Sequence, residues 1–212
     1  FRRSRGLGDV YKRQVFDFHK FLSAPLLCSV LLVKDKSVLV DEEIAQNGNY
    51  LFKSNQNRKY SLSIKSLQCS REAYAFKLWL MFKNHGIEHF KSLINKYYEN
   101  REEFKKQLSD HVLYVVEPQY LNLCFWFIPE EMEVKNSITD YTDVQIQKIE
   151  HLNRTIYDHV VQDGFLKVNS CNFNDFPAFI RIVVHHGNSN REIIAEIVAY
   201  LYDTYKMVAG RL

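Results

Sequence analysis

His19 and Lys20 stand directly before one of the most apolar runs of the chain, "DFHKFLSAPLLCSVLLV" over residues 17–33. An ammonium group leaves water only at high cost unless it is paired or loses its charge. Lys20 is therefore either a surface residue at a strand entrance or an amine held for chemistry. Arg181 raises the same question inside "AFIRIVVHH" (178–186), where a guanidinium within an apolar strand needs a partner. Its planar fork matches a carboxylate with two parallel hydrogen bonds, so it either closes an internal ion pair or receives an anionic ligand.

Other reactive residues point to bland roles. His185 and His186 are adjacent and would face opposite ways on a strand, with no Cys or His at zinc-finger spacing, so no metal site is expected. Cys28, Cys69, Cys124 and Cys171 lie far apart without a CxxC, which suits a reducing, cytoplasmic setting. The "NRT" at 153 has the form of a glycosylation sequon, but no secretory signal accompanies it. The basic helix over 91–106 is interleaved with Glu99, Glu102 and Glu103 and reads as a solvated face, so nucleic-acid binding is not expected.

Of the net charge of +3, the first 14 residues, "FRRSRGLGDVYKRQ", carry five Lys/Arg against one Asp, or +4, leaving −1 for residues 15–212. The folded part is thus not basic. Lacking apolar periodicity, the head reads as a non-native scar joined to a truncated frame. The apolar run to Val33 is too short to span a bilayer. It reads as a strand "LLCSVLLV", a turn "KDKS" and a strand "VLV".

The elements that must position these residues follow from periodicity. "EAYAFKLWLMFKNHG" (72–86) has helical spacing at Ala73, Phe76, Leu80 and Met81 and a Gly stop, which predicts a core helix. Residues 87–110 form a long amphipathic helix, with Ile87, Phe90, Leu93, Ile94, Tyr97 and Leu108 on one side, suited to linking two domains. Beyond it come strands "VLYVV" and "LNLCFWFIP", a helix over 142–162, strands "FLKVNSC" and "AFIRIVVHH", and a helix over 190–208. This is an α+β unit of small-domain size. Residues 41–66, rich in Asn, Ser and Lys, read as a mobile loop.

Five blocks, "HKFLSAPLLCSVLLVKD", "NYLF", "SLQCSREAYAFKLWLMFKNHG", "PQYLNLCFWFIP" and "FIRIVV", resemble in order and spacing the pyridoxal-phosphate-dependent group II amino acid decarboxylases. The resemblance is to the glutamate, cysteine sulfinate and aspartate decarboxylase branch and covers about residues 15–212. It implies an α/β, aspartate-aminotransferase-like fold of type I. Residues 15–108 would be the end of the cofactor-binding large domain with its linking helix, and 109–212 the small C-terminal α+β domain. Cofactor-stacking and ring-nitrogen partners would lie upstream.

The resemblance also assigns roles. Lys20 matches the lysine that binds the cofactor aldehyde covalently, an amine that burial helps to deprotonate. His19 helps hold the cofactor phosphate. Tyr50, in a loop that closes over the site, supplies the proton to Cα, for which a phenol is suited. Arg181 binds the substrate α-carboxylate, and Arg71 shapes the interface or the shared site. Where most members read Asn-Pro-His-Lys, this chain has Asp17 and Phe18, and Leu27 and Ser70 replace a usual Gln and Gly. An acidic Asp17 would repel a phosphate. The expectation is a cytoplasmic, homodimeric decarboxylase of a small acidic amino acid, carried here as a fragment, against a homologue that keeps the fold without the chemistry.

Overall fold

In the computed structural model, residues 13–35, 72–173, 176–185 and 188–211 are described. The chain divides into two compact units, Phe1–Phe90 and Lys91–Leu212.

The first unit is built on an antiparallel ribbon of β1 (Arg13–Asp17) and β2 (Ser29–Val33), with Asp17 opposite Ser29 and Phe16 opposite Val30. β1 takes in Arg13 and Gln14, the last residues of the head set aside above. β2 starts at Ser29 rather than Leu26, so the loop after Pro25 is longer than the apolar run implies. A single helical turn, α1 (Phe18–Phe21), sits between the strands. Aromatic rings run from it into the next helix: Phe16 on Phe18 at 4.8 Å, Phe18 on Phe82 at 6.0 Å, and Phe82 on Phe90 at 4.7 Å. The first two contacts are edge-to-face and the third is tilted, arrangements that add to area burial, and Phe18 is part of the chain of rings.

Helix α2 (Tyr74–Gln107) is broken at Gly86, whose φ of 73° is a left-handed conformation that glycine takes without a Cβ clash. The expected Gly stop is thus a break, and helix resumes after it. The core-helix expectation for 72–86 is corrected: Phe76 is 58% exposed and Leu80 50%, with Trp79 also exposed. Tyr74, Leu78 and Phe82, with the exposed Trp79, line a cavity with Cys28, Ser29 and Val30. Helical spacing shows which residues share a stripe, but not which stripe is covered. The second strand and loop expected over 38–66 lie outside the described residues.

The C-terminal part of α2 packs with the second unit, where Phe104 and Leu108 join the core. The division into compact units falls inside this helix, after Phe90. A four-stranded antiparallel sheet follows in the order β3-β4-β6-β5, with β3 Val112–Tyr114, β4 Asn122–Phe127, β5 Asn169–Phe173 and β6 Phe176–Val183. Alternation divides it into two faces. Leu123, Phe125, Phe127, Ile180 and Ile182 pack under α3 (Asp143–Asp163) and α4 (Arg191–Ala209). Full burial of each such side chain contributes about 1.5–3 kcal/mol. The other face carries Leu113, Trp126 and Phe179, with Ile138 and Tyr141 from the segment after β4 packed on them.

Sequence chemistry explains where the helices begin. Thr142 accepts from the Gln145 N–H while the Gln145 side chain accepts from the Thr142 N–H, a reciprocal cap that starts α3; Gly164 ends it in the left-handed conformation. Asn190 caps α4 at the Ile193 N–H. The sequon asparagine is structural: Asn153 is 1% exposed and bonds the N–H and the C=O of Phe127, so its amide is not available for glycosylation.

Candidate active site

In the first unit the chemistry gathers at the end of β1. Register sets Asp17 across from Ser29, and α1 carries the chain through His19 and Lys20 within one turn. Residues three apart on a turn share a face, and Lys20 Nζ donates to Asp17 Oδ2 at 2.8 Å. The hydroxyl of Ser29 donates to the other carboxylate oxygen, Oδ1. These two hydrogen bonds, Lys20 first, hold the Asp17 carboxyl below the usual carboxylate range. The Lys20 side chain is 71% exposed. The burial expected to favour its neutral amine is therefore not provided by the described residues.

His19 is anchored beside it. Its Nδ1 lies 2.9 Å from the Cys28 carbonyl oxygen and 3.1 Å from the Cys28 N–H, and its own backbone N–H donates to the Cys28 carbonyl at 3.2 Å. These contacts engage Nδ1 on the main chain and leave Nε2 as the ring nitrogen not used in them. Cys28 itself is buried.

In the second unit, Arg181 occupies the middle strand β6, between Cys124 of β4 and Asn169 of β5. It belongs to the sheet face opposite α3 and α4. Its Nε is buried with no hydrogen-bond partner, and among the described residues no carboxylate lies within ion-pair distance. The internal ion pair weighed above is therefore not formed among these residues. Burial pushes the Cys124 thiol upward, so the group across from Arg181 is neutral near pH 7 and supplies no counter-charge.

His19 and Lys20 thus come together, while Arg181 stands in the other unit. Tyr50, Arg71 and Ser70 lie outside the described residues, as does His186. His185 is exposed, with Nδ1 3.3 Å from the Val183 carbonyl. Asp17 as the partner of Lys20 was not read from the sequence, although their three-residue spacing carries the signal. Ser29 carries no such signal, since it meets Asp17 only through strand register.

Residues 12–128 match the family model described as the pyridoxal-dependent decarboxylase conserved domain. Mouse cysteine sulfinic acid decarboxylase is 30% identical over 174 residues, 78% of this chain and 34% of that protein. The acidic amino acid decarboxylase of Xenopus tropicalis is 31% identical over 182 residues, 82% of this chain and 34% of that protein. The chain spans about a third of the length of these relatives. The crystal structure of mouse CSAD superposes with a TM-score of 0.72 at 23% identity, over 91% of this chain and 40% of that one. That of Oryza sativa TDC with PLP and tryptamine gives 0.76 at 16% identity, over 93% and 39%.

Proposed function

The chain belongs to the pyridoxal-dependent decarboxylase family, and from that premise we propose that it is part of an enzyme removing the α-carboxylate of a small acidic L-amino acid. Glutamate, cysteine sulfinate and aspartate are the substrate class, and two relatives named for cysteine sulfinic and acidic amino acids support it. The observation that carries the reading is Arg181, a guanidinium whose buried Nε has no partner. A buried, unpartnered donor is costly, and a carboxylate satisfies it with charge-assisted bonds.

The residues fit pyridoxal phosphate at two points. Lys20 presents an exposed primary amine, the group that binds an aldehyde, and anchored His19 has Nε2 to offer a phosphate oxygen. The chemistry supplied by the bound cofactor is electron withdrawal from the substrate Cα. Lys20 tethers the aldehyde carbon and Arg181 orients the carboxylate. Tyr50 delivers a proton to Cα after carbon dioxide departs, and Arg71 completes the shared site of a homodimer. The free thiols of Cys28, Cys124 and Cys171 support a cytoplasmic location. No described helix is long and apolar enough to cross a membrane.

The rival reading, a homologue retaining the fold without the chemistry, draws on the Asp17–Lys20 ion pair. Lys20→Ala decides between them in the complete protein. With pyridoxal phosphate added, borohydride reduction followed by peptide mass analysis should mark Lys20 in the native protein and no lysine in the variant. Labelling that persists elsewhere after Lys20→Ala, with activity retained, would remove Lys20 from the site.

A further inference from the structure

We propose that Asp17 is a positioning residue for Lys20: its carboxylate, oriented by the Ser29 hydroxyl, holds the Lys20 ammonium in a resting tie that must open before the amine can bind an aldehyde. The proposal rests on the reading of Lys20 as the cofactor-binding amine.

Three links on the page build the tie. Lys20 Nζ donates to Asp17 Oδ2 at 2.8 Å, Ser29 Oγ donates to Asp17 Oδ1, and strand register places Asp17 and Ser29 directly opposite. His19 pins the same turn to the main chain of Cys28, the neighbour of Ser29. Both oxygens of the carboxylate are therefore used, one to fix its direction and one to hold the amine. Adding to a carbonyl carbon uses the nitrogen lone pair, and water is lost as the new bond forms. While Nζ donates to Asp17 as an ammonium, that lone pair carries a proton. The proton must go to solvent and the contact must break before Lys20 can react. Asparagine at position 17 keeps the shape and an acceptor but removes the charge.

The Lys20 side chain is 71% exposed and that of Asp17 27%, so the effect of the pair is modest and salt-sensitive. Acetic anhydride trace labelling of the full chain, read by peptide mass spectrometry, reports the availability of the Lys20 amine without any cofactor. Lys167, exposed and without an ion-pair partner among the described residues, is the internal reference. The Lys20/Lys167 rate ratio should rise roughly two- to fivefold in Asp17→Asn, an increase in line with a single exposed ion pair. Molar potassium chloride should raise the native ratio toward that value and leave the variant unchanged. Ser29→Ala, which frees the carboxylate to turn away, should raise the ratio by a smaller amount. In a second arm, the borohydride-reducible adduct of pyridoxal phosphate on Lys20 should form faster in Asp17→Asn by a similar factor. A native ratio insensitive to both salt and Asp17→Asn overturns the tie. So does an increase in Asp17→Asn without any salt response in the native chain, since a purely structural role gives that pattern. A raised, salt-sensitive ratio with no adduct on Lys20 in any variant upholds the tie at the amine and instead overturns the cofactor-binding reading.

Discussion

The carboxamide of Asn153, on α3, closes on both main-chain groups of Phe127 in β4: the Phe127 N–H donates to Oδ1 at 2.9 Å, and Nδ2 donates to the Phe127 carbonyl at 2.9 Å. A second bond from Nδ2 reaches the Ile149 carbonyl one turn back at 2.8 Å. The side chain thereby completes a strand end inside the core.

Asn153→Ala leaves the Phe127 N–H and C=O without these bonds in a dry environment. The expected loss is about 2–4 kcal/mol, since each unsatisfied buried group costs about 1–3 kcal/mol. Urea unfolding should show a lower midpoint at an unchanged slope. A midpoint equal to that of the native chain would mean that water replaces the amide.

Tyr205, 2% exposed, donates to the Ile128 carbonyl at 2.8 Å, and burial holds its phenol well above the ordinary tyrosine range. The sign follows from linkage. The unfolded phenol ionises near pH 10 while the folded one stays neutral, so the stability it provides is complete below pH 10 and falls as pH rises past it. Unfolding free energy should decline above pH 10 with up to about 1.4 kcal/mol per pH unit from this group. Tyr205→Phe should shed that part of the slope while lowering stability at neutral pH. An identical alkaline slope in the variant would show that other groups set it.

Arg181→Lys keeps a positive charge but loses the planar fork. If Arg181 receives the substrate carboxylate, KM in the complete enzyme should rise about ten- to a hundredfold, the loss expected for a charge-assisted bond of about 1.5–3 kcal/mol. Cofactor absorbance should stay native. An unchanged KM would return Arg181 to a structural role.

Tyr50→Phe should uncouple carbon dioxide release from amine formation, because bond cleavage needs only electron withdrawal whereas completion needs a proton at Cα. Following carbon dioxide and amine together, the native enzyme should give equal amounts and the variant a deficit of amine. Matching yields in the variant would assign the proton to another group.

The second unit was largely legible before its structure. The helix expected over 142–162 is α3, Asp143–Asp163, and the structure shows the local chemistry behind it: the reciprocal cap of Thr142 and Gln145 and the left-handed Gly164. β3, β4 and β6 read as apolar runs because both sheet faces are packed, whereas β5 was expected from Phe165 and begins only at Asn169, with the polar sequence NSCNF. The first unit was read less well. β1 carries a short, partly charged sequence whose strand conformation comes from pairing with β2, a nonlocal bond no window can register. The stripe on α2 through Phe76 and Leu80 was read as inward, because periodicity measures amphipathicity and not the presence of a covering layer.

By itself, then, the sequence determined what depends on neighbours along the chain. Helix caps, the Gly86 break, the placement of His19 and Lys20 on one short stretch and the blocks shared with the decarboxylase family all follow from residue type and spacing. Tertiary structure decided what depends on partners far apart in sequence. Asp17 meets Ser29 twelve residues away only through strand pairing, and Arg181 comes to lie between Cys124 and Asn169, without a carboxylate among the described residues, only once three strands align. The reason is physical: a local conformation is set by steric and hydrogen-bonding terms within a few residues, whereas the charge state and partners of a side chain are set by groups that loop closure and sheet register bring to it.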